Sequence, residues 1–316
     1  MMRRIANKRA AHFMQFEFHK LDVFTSTPYA GNPLAVVLEA GELDGARMQQ
    51  IAREFNLSET IFVLPPDNPV HTAKVRIFTR FEELPFAGHP TIGAAVLLAQ
   101  QKFATIEREE DAIVVLEEGI GPVRVGVRLR PGEAAFAEFD AATVPEQVGE
   151  PAPTDRLAAA LGLAPNEIGF ENHKPTRYSA GLPFTFVPVR GLDAIGDIEI
   201  RMQHWQEAFG GNGPNAAFVY CRETVHRRSA FHARAFVPSL LGAEDAATGS
   251  AAAAFAGVIQ QFDDPPDGVH NGLIEQGYEM GRPAEISLEL ELEAGEVHVV
   301  RIGGNAVPVM EGRLEA

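Results

Sequence analysis

From Phe16 to Phe24 the run FEFHKLDVF alternates with the two-residue period of a strand. The segment STPYAGNP that follows carries Pro, Gly and Asn and reads as a loop, after which LAVVLEA predicts a second strand. Between Leu43 and Phe55, apolar Met48, Ile51, Ala52 and Phe55 recur at helical spacing, and Asn56 suits the helix end. ETIFVLPP and KVRIFTRF return to strand. LPFAGHPT then leads into IGAAVLLAQQ, which has no polar face before its glutamines, and a helix apolar all round is a buried helix. AIVVLEEG, GPVRVGVRLR and AAFAEFD predict further strands, so this helix is expected to lie inside a curved sheet.

The stretch from Ala142 to Pro153, rich in Pro, Glu and Gly, reads as a linker, and beyond it the order recurs. DRLAAALGL and RMQHWQEAF predict short helices, and PFTFVPV, AAFVYC and HARAFVP predict strands. GAEDAATGSAAAAFAGVIQQF then opens a second all-apolar helix, and ISLELEL, VHVVRIG and AVPVMEGRL predict separate closing strands. RIFTRFEELPFAGHPTIGAAVLLA and RAFVPSLLGAEDAATGSAAAAFAGVI thus form a weak internal duplication. In each copy a strand feeds a glycine-bearing loop that opens onto a buried helix. Free backbone N–H groups at a helix start, with the helix dipole, make a site for a carboxylate or phosphate, so two such starts form a two-jawed anion clamp.

Composition narrows the functions open to such a chain. A length of 316 residues with 46% hydrophobic residues favours two globular domains. A net charge of -16 repels a phosphate backbone, which argues against nucleic acid as partner. Cys221 is the only cysteine, excluding an intrachain disulfide and any mechanism that needs two thiols in one chain; it reads as a small buried hydrophobe. No apolar run approaches the roughly 18 to 20 residues of a membrane-spanning helix, so a cytoplasmic location with no membrane partner is expected. The basic segment 1–15 lacks the apolar core of a secretory signal and reads as a disordered or extended tail. His226, His232, His270 and His298 show no metal-ligand spacing, and His204 beside Trp205 reads as core or partner-facing.

Three constellations carry possible chemistry. Gly88, His89 and Pro90 place a histidine at a helix mouth, where the dipole favours its neutral form; the plain alternative is a loop cap. Glu244, Asp245, Thr248, Gly249 and Ser250 precede the second buried helix, where Asp and Ser are also ordinary caps. The recurrence of one glycine opening before two buried helices weakens both plain readings. In Asn56-Leu57-Ser58-Glu59-Thr60, a helix end passes into a strand, and from spacing alone Glu59 reads as a solvated side chain.

GNPLAVV near Asn32, NLSET around Glu59, LPFAGHPT around His89 and EDAATGSA around Asp245 together resemble, in the same order, the PhzF-like proteins, relatives of diaminopimelate epimerase. The resemblance runs from about Phe16 onward. It implies an α+β fold of two pseudo-symmetric domains, each a curved, mostly antiparallel sheet or barrel around a central hydrophobic helix, with the active site in the cleft between them. The expected domains are 16–141 and 142–297, with C-terminal strands from about 298–316 able to pack back onto the first. It implies a cofactor-independent, metal-free isomerase that shifts a proton on a small carboxylic acid such as trans-2,3-dihydro-3-hydroxyanthranilate, and a homodimer.

By the same resemblance Glu59 is the general acid/base and His89 and Asp245 flank the reacting centre. Ser58, Gly88, Thr248, Gly249 and Ser250 hold the substrate carboxylate. In the racemases of this superfamily two cysteines do the proton transfer; here Ala87 and Thr248 stand in their places, and neither can serve as a base near neutral pH. A departure from the common EDPxTGSA pattern, Ala246 in place of proline, touches loop stiffness rather than chemistry. The alternatives are an amino-acid or hydroxy-acid epimerase or racemase, disfavoured by the missing thiols, and a silent small-acid-binding protein.

Overall fold

The computed structural model describes residues 14–103, 105–210, 215–238 and 244–316. Of the expected tail, residues 1–13 lie outside the described residues, and Gln15 already belongs to a strand. The first half of the chain supplies β1 (Gln15–Val23), β2 (Asn32–Val37), β3 (Glu59–Leu64), β4 (Ala73–Thr79), β5 (Glu83–Leu84), β6 (Glu110–Glu118), β7 (Gly121–Leu129) and β8 (Ala135–Asp140). The second supplies β9 (Glu146–Gln147), β10 (Thr176–Ser179), β11 (Pro183–Pro188), β12 (Ala217–Cys221), β13 (Phe231–Phe236), β14 (Glu244–Asp245), β15 (Gly268–Gln276), β16 (Ala284–Glu293) and β17 (Glu296–Glu315). Polar and apolar residues alternate as a half-buried strand requires: in β7, Val123, Val125, Val127 and Leu129 face inward while Arg124 and Arg128 face water.

The pairing repeats. β1–β2 and β3–β4 are antiparallel and β2–β3 parallel, and β10–β11, β11–β12 and β12–β13 copy that pattern. In the first half, β5 folds back antiparallel on β4 and the chain enters the first central helix, Gly88–Lys102. β14 folds back on β13 in the same way before the second central helix, Gly249–Asp263, and both helices are 15 residues long. Each helix then leads to a strand parallel to the one before the turn, β6 beside β4 and β15 beside β13. The internal duplication in the sequence is thus a duplication of topology.

Both central helices are apolar on nearly every side because both are walled in. The first touches β1, β2, β3, β6, β7, β8 and β17; the second touches β9, β10, β11, β16 and β17. A single apolar core runs through both, from Leu21, Leu34 and Ile92 to Phe186, Phe255 and Ile302. Fully burying a side chain of this size contributes about 1.5–3 kcal/mol, which is why the helices tolerate no polar face. The amphipathic helices stay outside: Gly45–Phe55 covers Phe62 and Phe78, while Thr154–Leu161 and Met202–Phe209 cover Val187 and Val219. Trp205 is buried there and its indole N–H donates to the Asn215 carbonyl at 2.8 Å, while His204 is partly exposed.

The sequence pattern predicts separate strands for VHVVRIG and AVPVMEGRL, but they form one strand, β17, of 20 residues. Gly303 and Gly304 do not break it; they let neighbours come close. A Cβ on Gly303 would stand 2.8 Å from the Phe136 ring, and one on Gly304 2.5 Å from the Phe24 ring. β17 pairs in succession with β16, β8 and β1, ending with Glu315 opposite Gln15. The stretch read as a linker also contains β9, which pairs with β10 through Tyr178 and Ser179.

Candidate active site

The two central helices begin against each other. A Cβ on Gly88 would lie 3.8 Å from the Gly249 Cα, so the first turns face one another across a narrow gap. Ala87 and Thr248 occupy the N-cap positions, and neither caps its helix with its side chain. Both helix starts therefore point free N–H groups and the positive ends of their dipoles toward one place.

Glu59 reaches that place from the side. Helix Gly45–Phe55 ends at Asn56, whose left-handed backbone (φ 53°) turns the chain sharply. Ser58 and then Glu59 follow, and Glu59 opens β3 between Leu34 of β2 and Thr79 of β4. Glu59 is 8% exposed, His89 6% and Asp245 5%, which corrects the reading of Glu59 as a solvated side chain. Glu59 Oε2 and His89 Nε2 lie 3.5 Å apart, and both atoms are buried without a hydrogen-bond partner among the described residues.

Asp245, by contrast, is held firmly. Its Oδ1 accepts from Asn32 Nδ2 at 2.8 Å and its Oδ2 from the Thr248 hydroxyl at 2.7 Å. Asn32 also donates to the Ala247 carbonyl at 2.9 Å, so it fastens the second half's loop to the first half. Behind the loop Gln276, fully buried at the end of β15, accepts from the Thr248 N–H and donates to the Asp245 carbonyl and to Thr248 Oγ1. Neither Asn32 nor Gln276 had stood out as functional. Asn32 lies in the GNPLAVV motif; Gln276 carries no pattern beyond a polar residue ending a strand before Gly277.

Each half braces its turn in the same way. Arg76 forms a bidentate pair with Glu83, and Arg234 forms one with Glu244. The site itself is asymmetric: Glu59 and His89 come from the first half, Asp245 and Thr248 from the second. Gly249 and Ser250 continue the second helix mouth, with Ser250 partly buried.

Burial sets the protonation of the group. Burial first, and then the charge of Asp245, hold the Glu59 carboxyl well above the usual carboxylate range. Burial raises Asp245 to about 6, against the pull of Thr248, Asn32, the Ala246 N–H and Ser58. Burial also pushes His89 down to about 3, so it is a neutral imidazole at physiological pH. Repulsion between the two buried carboxylates disfavours ionising both at once, so the pair holds a proton that a lone carboxyl would lose. The arrangement can give and take back a proton in a dry gap beside two anion-binding helix ends.

The gap is closed. A crevice of about 1050 Å³ lies elsewhere, lined by His71, Lys74, Arg76, Glu83 and Glu118 among others, and none of the site residues line it. Arg282 of the second half grips the loop before Asn32, bonding Asp22 Oδ1 and the Ala30 carbonyl at 2.6 Å and the Gly31 carbonyl at 2.7 Å.

Residues 21–312 match the family described as phenazine biosynthesis-like protein, PhzC-PhzF. The chain belongs to this family. Over 297 residues, covering 93% of this chain and 96% of the relative, the PhzF-family chain is 54% identical to an uncharacterized isomerase of Mesorhizobium japonicum. It is 34% identical over 295 residues to the trans-2,3-dihydro-3-hydroxyanthranilate isomerase of Pseudomonas aeruginosa, covering 93% of this chain and 97% of that one. In fold it is similar to a PhzF-family phenazine biosynthesis protein of Bacillus anthracis, with TM-score 0.85, 24% identity and coverage of 95% and 99%. A hydroxyproline epimerase of Agrobacterium vitis shares the fold at TM-score 0.63 and 13% identity, covering 97% of this chain and 93% of that one. The PhzF-family chain is an isomerase with an α+β fold. Among its described residues no helix is long and apolar enough to cross a membrane, and no cluster of His, Cys, Asp and Glu is placed to hold a metal ion.

Proposed function

We propose that this protein moves a proton between two carbons of a small unsaturated carboxylic acid, of the trans-2,3-dihydro-3-hydroxyanthranilate type, with Glu59 as general acid/base. The observation that carries this reading is the pair of buried, unpartnered atoms, Glu59 Oε2 and His89 Nε2, facing each other at 3.5 Å. Orphaned polar atoms in a dry site cost free energy unless a ligand satisfies them. The raised proton affinity of Glu59 suits a group that must both hold and release a proton.

In this mechanism the substrate carboxylate lies at the mouths of the two helices, held by N–H groups around Gly88, Gly249 and Ser250, with Ser58 at the edge; the Thr248 N–H and hydroxyl are already bonded to Gln276 and Asp245. Glu59 delivers a proton to one carbon and recovers one from another as the double bonds shift. No electron or group leaves the substrate, and the protein returns to its starting state. Neutral His89 orients the substrate or relays the proton, and ionised Asp245 stabilises positive charge that develops beside it. Ala87 and Thr248 at the two N-caps favour this scheme over a two-thiol racemase.

The test uses trans-2,3-dihydro-3-hydroxyanthranilate in deuterated water, followed by NMR. The wild-type protein incorporates deuterium as it isomerises the substrate, while Glu59→Gln loses about 10²–10⁴-fold in rate and still binds the compound by calorimetry. A Glu59→Gln protein that isomerises the substrate within about tenfold of wild type removes Glu59 from this role.

A further inference from the structure

We propose that Gln276 is a positioning residue: by donating to Thr248 Oγ1 it fixes the direction in which the Thr248 hydroxyl donates, and so orients Asp245 toward the closed gap. This rests on the proposed function for Asp245's part in the chemistry, but the positioning itself is a separate claim.

Three bonds carry the argument. Gln276 Oε1 accepts from the Thr248 N–H at 3.1 Å, and Nε2 donates to the Asp245 carbonyl at 2.7 Å and to Thr248 Oγ1 at 3.1 Å. Only one orientation of the amide satisfies all three, because the N–H must meet an oxygen and the carbonyl must meet a nitrogen. A hydroxyl has a single proton and rotates to suit its surroundings. With Gln276 donating into its oxygen, Thr248 aims that proton at its other neighbour, Asp245 Oδ2, 2.7 Å away. Gln276 and Thr248 are buried together with Asp245, so water does not compete for these groups.

The groups facing Asp245 leave this hydroxyl a distinct part. Glu59 approaches from β3, its own proton affinity raised by burial and then by the charge of Asp245, with neutral His89 behind it on the first central helix. Asn32 holds Oδ1 from β2, and Ser58 approaches from the turn before β3. Of the charged groups on neighbouring residues, Glu244 is paired with Arg234, and Glu275 with His232. The Ala246 N–H and Ser58 also reach the Asp245 carboxyl, but the 2.7 Å bond to Oδ2 comes from Thr248, and Gln276 donates to Thr248 in turn.

The experiment follows the Asp245 side-chain carboxyl by carbon-13 NMR through a pH titration, with Asp245→Asn to assign the signal. A bond from a neutral donor to an ionised carboxylate is worth enough that its loss raises the midpoint by about one pH unit. Gln276→Met and Thr248→Val are each expected to raise the midpoint by that amount. The double variant should raise it no further, because the first acts through the second, and Thr248→Ser should restore it. With trans-2,3-dihydro-3-hydroxyanthranilate as probe, kcat should fall in Gln276→Met with KM little changed, and the acidic limb of the rate profile should move with the NMR midpoint. An unchanged midpoint in a folded Gln276→Met protein, or shifts that add in the double variant, overturns the proposal. If Gln276→Met does not fold, Thr248→Val against Thr248→Ser decides: an unmoved midpoint in Thr248→Val overturns it. Failure of the probe to react in the wild type would count against the proposed function and leave the titration result standing.

Discussion

Glu118 offers a test of burial energetics that does not depend on the chemistry. It ends β6 at 9% exposure; its Oε1 accepts from the Thr91 hydroxyl at 2.7 Å, and its Oε2 is buried without a partner. Burial pushes the carboxyl from its ordinary 4.5 up to about 8, further than the Thr91 bond pulls it down. The folded chain thus holds this proton to higher pH than the unfolded chain. The resulting stabilisation is intact below about pH 4.5 and is lost as pH rises through about 8. At about 1.4 kcal/mol per pH unit, ionising Glu118 in place costs on the order of 5 kcal/mol.

Glu118→Gln cannot ionise and keeps an acceptor for Thr91. It places an amide N–H₂ where Oε2 is unpartnered, which costs about 1–2 kcal/mol at any pH. Urea unfolding of both proteins at about pH 5 and about pH 9 should therefore show a crossing. Wild type is expected to be the more stable by about 1 kcal/mol in acid, and the variant by about 3–4 kcal/mol in base. A stability difference that is the same at both pH values refutes the reasoning, since only ionisation of Glu118 distinguishes them.

Arg282→Ala leaves the carboxyl of Asp22, which is 1% exposed, with only the Tyr29 N–H, and should cost about 3 kcal/mol in chemical unfolding; a loss under about 1 kcal/mol would mean that the strap contributes nothing measurable. Gly93→Ala should destabilise by about 1–3 kcal/mol despite the better helix former, because its Cβ would meet Leu34 at 2.5 Å and Val23 at 2.9 Å. A rise in melting temperature would contradict that packing. Cys221, buried and with its thiol pushed up to about 12, should react with a disulfide reagent only after denaturation. Rapid labelling of the folded protein would place it at the surface.

The residues legible in the sequence were those whose meaning is local. Glycine before an apolar helix, an asparagine at a helix end and two all-apolar helices follow from backbone rules within a few residues, and they point to His89 and Asp245 at the helix mouths, while Glu59 stands out only through the resemblance of its NLSET motif. Asn32 and Gln276 work across long separations: Asn32 meets a partner 213 residues away and Gln276 one 31 residues away. No periodicity encodes such a pairing. Glu59 read alone was a solvated carboxylate, because nothing local shows that two helix ends and β2 close over it. The closing strands were read as separate because paired glycines ordinarily mark a break. Here Phe24 and Phe136, far away in sequence, fill the space the glycines leave.

That closing strand also bears on how the chain is made. β1 leaves the ribosome long before its partner along one edge, residues 306–315 of β17, has been made. Until then β1 presents an unpaired edge, a template on which neighbouring nascent chains can associate. Assembly of the first half is thereby deferred until β17 has been made, and a product that stops short of β17 would carry that sticky edge permanently.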